Sequence, residues 1–290
     1  MKQGLKTVLE LFVLPGLAAI LPWPWCFRLF KRAAAGRRLY PEVEGMVQGA
    51  RQANLLVNEE AWRSALRMTR IFSFADLYLS MFRSDRWLEK YVDVTGAWPQ
   101  GPFLAVTYHW GAGLWALRHL KANGKPTAFL SIRFDRSTFQ NSPVRYWYAL
   151  LRNRETARAG GGIEPIFTGG STAKIAAAYK EGLCVAALLD VPPTADQASV
   201  PVVLFARPAR LRTGLARLAI EQNMPIVTFA MHLDRDSGRL KLRIDAPLRA
   251  QTQEQAMQQM AASFGAAIDQ DPCAWHGWAE VQCYFDPACA

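Results

Sequence analysis

The residues most able to do chemistry in this chain are one histidine, one aspartate and a few arginines, each placed just after an apolar run. His109 lies in "FLAVTYHWGAGLWALRHL", residues 103–120, where a buried strand meets a small-residue turn and then a helix. An imidazole at the carboxyl end of a strand can take a proton from a hydroxyl as general base. It can equally cap a sheet by hydrogen bonds. Asp190 ends the apolar run "LCVAALLD", and a carboxylate there is either a loop cap or part of a site. Arg133 and Arg136 follow "PTAFLSI", and Arg207, Arg210, Arg212 and Arg217 surround "ARPARLRTG". Guanidinium groups suit phosphate. Most of these arginines read as a solvated basic face, and Arg133, next to a strand end, is singled out. The chain has no P-loop pattern and no GxSxG elbow. The four histidines, His109, His119, His232 and His276, lack metal-ligand spacing, so no metal is expected.

The elements that must hold these groups are readable from periodicity. Residues 40–90 read as helical, with Asn58 as an N-cap. From residue 103 strands and helices alternate, down to a final helix over "TQEQAMQQMAASFGAAIDQDP". Ser171 reads as the N-cap of the helix "STAKIAAAYKEG". "LCVAALLD" is apolar on both faces, as in the centre of a covered sheet. The expected fold class is α/β, a central mostly parallel sheet covered by helices, with an N-terminal membrane-associating helical segment. The expected division is 1–39 for that segment and 40–290 for a single α/β domain.

Composition points to lipid. The net charge is +10, and residues 1–40 hold seven basic residues against Glu10 alone. "TVLELFVLPGLAAILPWPWCF", residues 7–27, is otherwise apolar and directly precedes a basic run, Arg28 to Arg38. This reads as an anchor, spanning or interfacial, on an anionic membrane surface, with Trp23 and Trp25 at headgroup depth and the rest of the chain in the cytoplasm. Pro15, Gly16, Pro22 and Pro24 argue against a straight span. Nucleic acid is the weaker partner, because the bases flank an apolar run. Five cysteines without a CxxC pair argue against a disulfide framework, and Cys184 reads as a core thiol.

The order strand–His–small turn–helix, strand–Arg, strand–Asp–Pro, "FARPARLRTGLARLA", "PIVTFAMH" and "AWHGWAEVQCYF" resembles the late acyltransferases of lipid A biosynthesis, in the lysophospholipid acyltransferase-like superfamily. The resemblance implies an acyltransferase-like α/β sandwich. It also implies O-acyl transfer from a thioester, acyl carrier protein or coenzyme A being substrate rather than cofactor, to a lipid or glycolipid hydroxyl at the cytoplasmic face of the inner membrane. The family motif carries a histidine and, after four residues, Asp or Glu. Here "HWGAGL" matches at His109 and Gly111, and Leu114 stands in the acid's place. By the resemblance His109 is the base, and Asp190 is the first choice for a substitute acid, ahead of Glu164 and Asp135. Amides near Gly111 to Gly113 stabilise the oxyanion, and Arg133, Gly111, Gly113, Thr213 and Gly214 bind substrate. Two alternatives stay open. His109 works without an acid, or the protein is an inactive relative that binds lipid or acyl carrier protein.

Overall fold

The fold is known from a computed structural model, which describes residues 2–139, 142–194 and 196–286. Cys289 lies outside them. Three helices open the chain: α1 (Lys2–Val8), α2 (Leu14–Ile20) and α3 (Trp23–Ala35). They are followed by α4 (Val43–Gln52), the long α5 (Glu59–Phe82), α6 (Asp85–Tyr91) and β1 (Val92–Thr95). The alternating part runs β2 (Leu104–Thr107), α7 (Gly113–Ala122), β3 (Thr127–Ser131), α8 (Pro143–Ala159), β4 (Ile166–Phe167), α9 (Ser171–Lys180) and β5 (Cys184–Leu188). A hairpin, β6 (Ser199–Leu204) and β7 (Arg207–Arg212), stands outside the main sheet. Then come α10 (Gly214–Glu221), β8 (Ile226–Leu233), β9 (Leu240–Ile244) and α11 (Gln253–Gln270). Two 3-10 segments, Pro272–Ala274 and Gly277–Tyr284, close the described chain.

The seven-stranded sheet has the order β1-β9-β8-β2-β5-β3-β4, and every neighbouring pair is parallel except β8 with β9. This is the expected α/β class. All residues of β2 and β8 are buried, because helices cover both faces of a parallel sheet. β2 and β5 pair in register to their ends, Thr107 opposite Leu188. β3 pairs on the other side of β5. The sheet edge therefore presents, side by side, the residues that follow three different strands.

Local chemistry departs from expectation at three places. Ser171 is the first residue of α9 and not its cap. Gly170, at φ +76°, takes the cap position with no side-chain hydrogen bond, because glycine enters the left-handed region at no steric cost. "ARPARLR" forms a strand, β7, with Ala209 and Leu211 buried on alternate positions. Trp23 does not sit at a headgroup level. It is 4% exposed, its rings meet Phe30, Phe72 and Trp87, and its indole N–H bonds the Gly238 carbonyl at 2.7 Å. Trp25, by contrast, is exposed. Asn58 caps α5 as expected, accepting from the Ala61 amide.

The N-terminal run is not one straight helix. Between α1 and α2 a π turn, Leu9–Val13, lets the Leu14 N–H reach the Leu9 carbonyl, five residues back. The wide turn immediately precedes Pro15, whose ring and missing N–H oppose regular continuation. Glu10 is buried in that turn, where Oε1 accepts the Tyr40 amide at 2.7 Å and lies 3.7 Å from Lys6 Nζ. Among the described residues no helix is long and apolar enough to cross a membrane.

Candidate active site

His109 and Asp190 each lie two residues beyond a strand end, after Thr107 of β2 and after Leu188 of β5. Because those strand ends pair with one another, and the Leu189 amide bonds the Thr107 carbonyl at 2.8 Å, the two side chains meet. Asp190 Oδ1 is 3.2 Å from His109 Nδ1, and the His109 amide donates to Oδ1 at 2.9 Å and Oδ2 at 2.8 Å. The Asp190 side chain is completely buried, while 48% of the His109 side chain reaches the surface. The acid is thus sealed and the imidazole accessible. Crowding around the ring disfavours its charge, but the Asp190 charge and hydrogen bonds, with Glu280 adding a smaller contribution, outweigh this and raise His109 above its ordinary range. With Asp190 on Nδ1, Nε2 is left to exchange a proton with a substrate.

The turn after His109 is fixed from beneath. Gly111 sits at φ +23°, and a Cβ there would lie 2.5 Å from the Met231 carbonyl oxygen. Only glycine fits that approach. The Gly111 amide donates to the Ala274 carbonyl at 3.1 Å and the Ala112 amide to Met231 at 2.9 Å. Of the amides near Gly111 to Gly113 expected at the oxyanion, these two are engaged inside the fold. Leu114, in the position where an acid was sought, is 2% exposed and belongs to the core. Its amide instead meets an acid from another element, Asp76 Oδ2 of α5, at 2.9 Å. Asp76 is fully buried, and burial lifts its carboxyl to about 6, opposed by Arg152 and by the Leu114 and Trp115 amides. It caps α7, the helix that begins behind His109.

The other expected residues are distributed as follows. Arg133 also lies two residues past its strand, β3, so it stands on the same sheet edge. It is exposed, and its guanidinium stacks over the Phe167 ring at 4.6 Å. Thr213 and Gly214 lie where β7 passes into α10, and the Thr213 hydroxyl donates to the Ala198 carbonyl at 3.3 Å. Among the described residues no hydrogen bond joins Thr213 or Gly214 to the His109–Asp190 pair. Arg212, next to them, does tie β7 to the Asp190 loop through the Pro192 carbonyl, 2.7 Å from Nε. Glu164 is exposed on the loop before β4. Asp135 holds a local turn, where Ser137 and the Thr138 amide lower its carboxyl. Neither reaches His109.

Three residues at the site escaped the sequence reading. Asp76 had a signal, as the lone acid between Leu66 and Phe82. Trp275 and His276 lie in the terminal aromatic stretch. The Trp275 indole N–H donates to Asp190 Oδ2 at 2.6 Å, and the His276 amide donates to the His109 carbonyl at 2.8 Å. The His276 ring is held neutral by burial, then by Arg70, His109 and Arg152, and among the described residues neither ring nitrogen has a hydrogen-bond partner. Among the described residues no cluster of His, Cys, Asp or Glu is arranged to hold a metal ion.

Residues 156–279 match a family model described as bacterial lipid A biosynthesis acyltransferase. The match takes in Asp190 and Trp275 and begins after His109 and Arg133. No curated protein matches the chain.

Proposed function

We propose, from the match of residues 156–279 to the bacterial lipid A biosynthesis acyltransferase model, that the chain moves an acyl group from a thioester on acyl carrier protein or coenzyme A to a hydroxyl of a lipid or glycolipid. The observation that carries this reading is the contact between the sealed Asp190 carboxylate and the accessible His109 imidazole. His109 Nε2 takes the acceptor's hydroxyl proton as its oxygen attacks the thioester carbonyl carbon. The C–S bond then breaks, and the departing thiolate receives the proton from the imidazolium. Asp190 holds the Nδ1–H tautomer and stabilises the transient positive charge. Leu114 is tolerated in this scheme because the acid arrives from a neighbouring strand. Arg133, on the same edge, takes a phosphate of donor or acceptor.

The reaction is proposed to occur at the cytoplasmic face of the inner membrane. Leu5, Leu9 and Val13 recur every four residues and are 74%, 41% and 52% exposed. Leu5, Leu9 and Leu39 share a shallow groove of about 640 Å³ with Lys6, Arg32, Arg37 and Arg38. An apolar floor with a basic rim suits an interfacial helix on anionic lipid. The same positive charge favours an acidic carrier protein.

The test is mass spectrometry of lipids from membranes expressing the protein, supplied with labelled acyl thioesters, beside the His109→Ala variant. A new ester formed only by the unaltered protein supports the transfer. A folded His109→Ala protein of full activity refutes the mechanism. No ester with any donor, alongside retained carrier-protein binding, favours a binding protein on the same fold.

A further inference from the structure

The chain's last described segment is laced to the His109 turn. Trp110 and Trp275 form a β-bridge, the Gly111 amide bonds the Ala274 carbonyl, and the His276 amide bonds the His109 carbonyl. This places Trp275 behind Asp190, completely buried, with its Nε1 2.6 Å from Oδ2. The indole is held by its neighbours. Trp278, Phe264 and Tyr284 have ring centroids 4.8, 5.3 and 6.0 Å away. Gly277 lets the chain pass over the indole, since a Cβ there would lie 2.4 Å from the ring.

We infer that Trp275 is a positioning residue for the proposed reaction, fixing Asp190 Oδ2 so that Oδ1 faces the His109 imidazole. The inference rests on the His109–Asp190 reading and adds a residue to it. A carboxylate's terminal torsion is broad and nearly two-fold. The two oxygens are equivalent, and the single His109 amide shared between them leaves rotation about the Cβ–Cγ bond loosely held. The Trp275 N–H bonds Oδ2 alone, and the Nδ1 contact falls on Oδ1 alone. A short N–H···O⁻ bond from a rigid donor therefore removes the freedom that the backbone leaves. The final aromatic stretch thus acts on the imidazole through the acid, without touching substrate.

The chain has four histidines, so their ring nitrogens can be followed individually by ¹⁵N NMR. The decisive variant is Trp275→benzothienylalanine, which keeps the bicyclic shape and loses only the N–H, with W275F as the coarser companion. In the unaltered protein neutral His109 should show one tautomer, protonated at Nδ1. In the variant the two His109 nitrogen shifts should converge as tautomers mix, and its titration should move down toward the ordinary histidine range. Acyl transfer should fall about tenfold at unchanged KM, the effect of losing one hydrogen bond to a charged group. In an Asp190→Asn background the same replacement should leave the His109 shifts where that variant already puts them.

Unchanged His109 shifts in the folded variant overturn the inference even if turnover falls, because Trp275 would then only pack. Shifts that persist in the Asp190→Asn background overturn it too. If neither variant folds, the unaltered protein decides. The Trp275 indole N–H resonance should move with the His109 titration, and a flat response across that titration overturns the coupling. The spectra need no turnover, so this inference fails or stands separately from the acyl-transfer reading.

Discussion

Asp190→Asn is the most informative single change. Three N–H groups converge on the native carboxylate: the His109 amide, His109 Nδ1 and Trp275 Nε1. An asparagine offers one oxygen and one NH₂ in their place. Whichever way it turns, at least one N–H faces another donor. Losing a hydrogen bond to a charged group costs about 1.5–3 kcal/mol, roughly 10–150-fold in rate if it acts in the transition state. Freeing the wrong tautomer adds to this, and in the serine protease triad the equivalent change reaches about 10⁴. The expected result is a kcat lower by about 10² to 10⁴ with little change in KM, measured by the time course of ester formation. The pH dependence gives a second readout. His109 is raised in the native protein, so the neutral, basic form and the activity appear as pH rises through a value above 6.5. Stability carries the opposite sign. The charged ring's contribution is complete below the ordinary histidine value and is lost as pH rises through the folded one. Without the Asp190 charge, burial of the ring is opposed only by the smaller Glu280 contribution, and the activity limb should move to lower pH. A folded Asp190→Asn protein with kcat within about threefold of native and an unmoved limb refutes the pairing as the source of catalysis.

Other perturbations test the surrounding structure. Asp76 is lifted to about 6 from an ordinary 3.8, so the folded protein keeps a proton across that window and stability falls as pH rises through it. At about 1.36 kcal/mol per unit, Asp76→Asn should gain roughly 3 kcal/mol relative to native between pH 4 and pH 7. Denaturation at the two pH values that gives equal differences contradicts this. Gly111→Ala should destabilise by about 3 kcal/mol, from left-handed strain plus overlap with the Met231 carbonyl. A normal melting transition would show that the turn adapts. The double change Leu5→Gln and Leu9→Gln should weaken co-sedimentation with anionic vesicles about tenfold or more, since each leucine buries about 1.5–3 kcal/mol of apolar surface. Undiminished sedimentation would remove the helix from the interface.

The strands that carry His109, Arg133 and Asp190 were legible because each is an apolar run that stops at a polar residue. What the sequence did not reveal is that β5, third of these in the chain, enters the sheet between the other two. Periodicity reports which residues are buried, not which strand lies beside which. Leu114, five positions after His109 and second in α7, stands where the resemblance puts an acid, and Asp190 could be named in its place only as one of three carboxylates, with Glu164 and Asp135, whose neighbours the sequence does not give. The fold brings Asp190 to His109 across the sheet, from 81 positions away. In parallel strands paired to a common end, residues at equal offsets beyond that end are neighbours. His109, Asp190 and Arg133 each lie two residues past β2, β5 and β3, and that shared offset was present in the sequence as spacing without a partner. Trp275 was harder to see. An indole in an aromatic stretch reads as core, and 0% exposure agrees. Its N–H is the polar end of that core residue, and where it points depends on a bridge between residues 110 and 275 that no local pattern encodes. The leucine in "HWGAGL" is then a consequence of the architecture. With α7 capped by Asp76 and the imidazole held by Asp190, an acid at 114 would bury an additional charge beside Asp76 without a partner of its own.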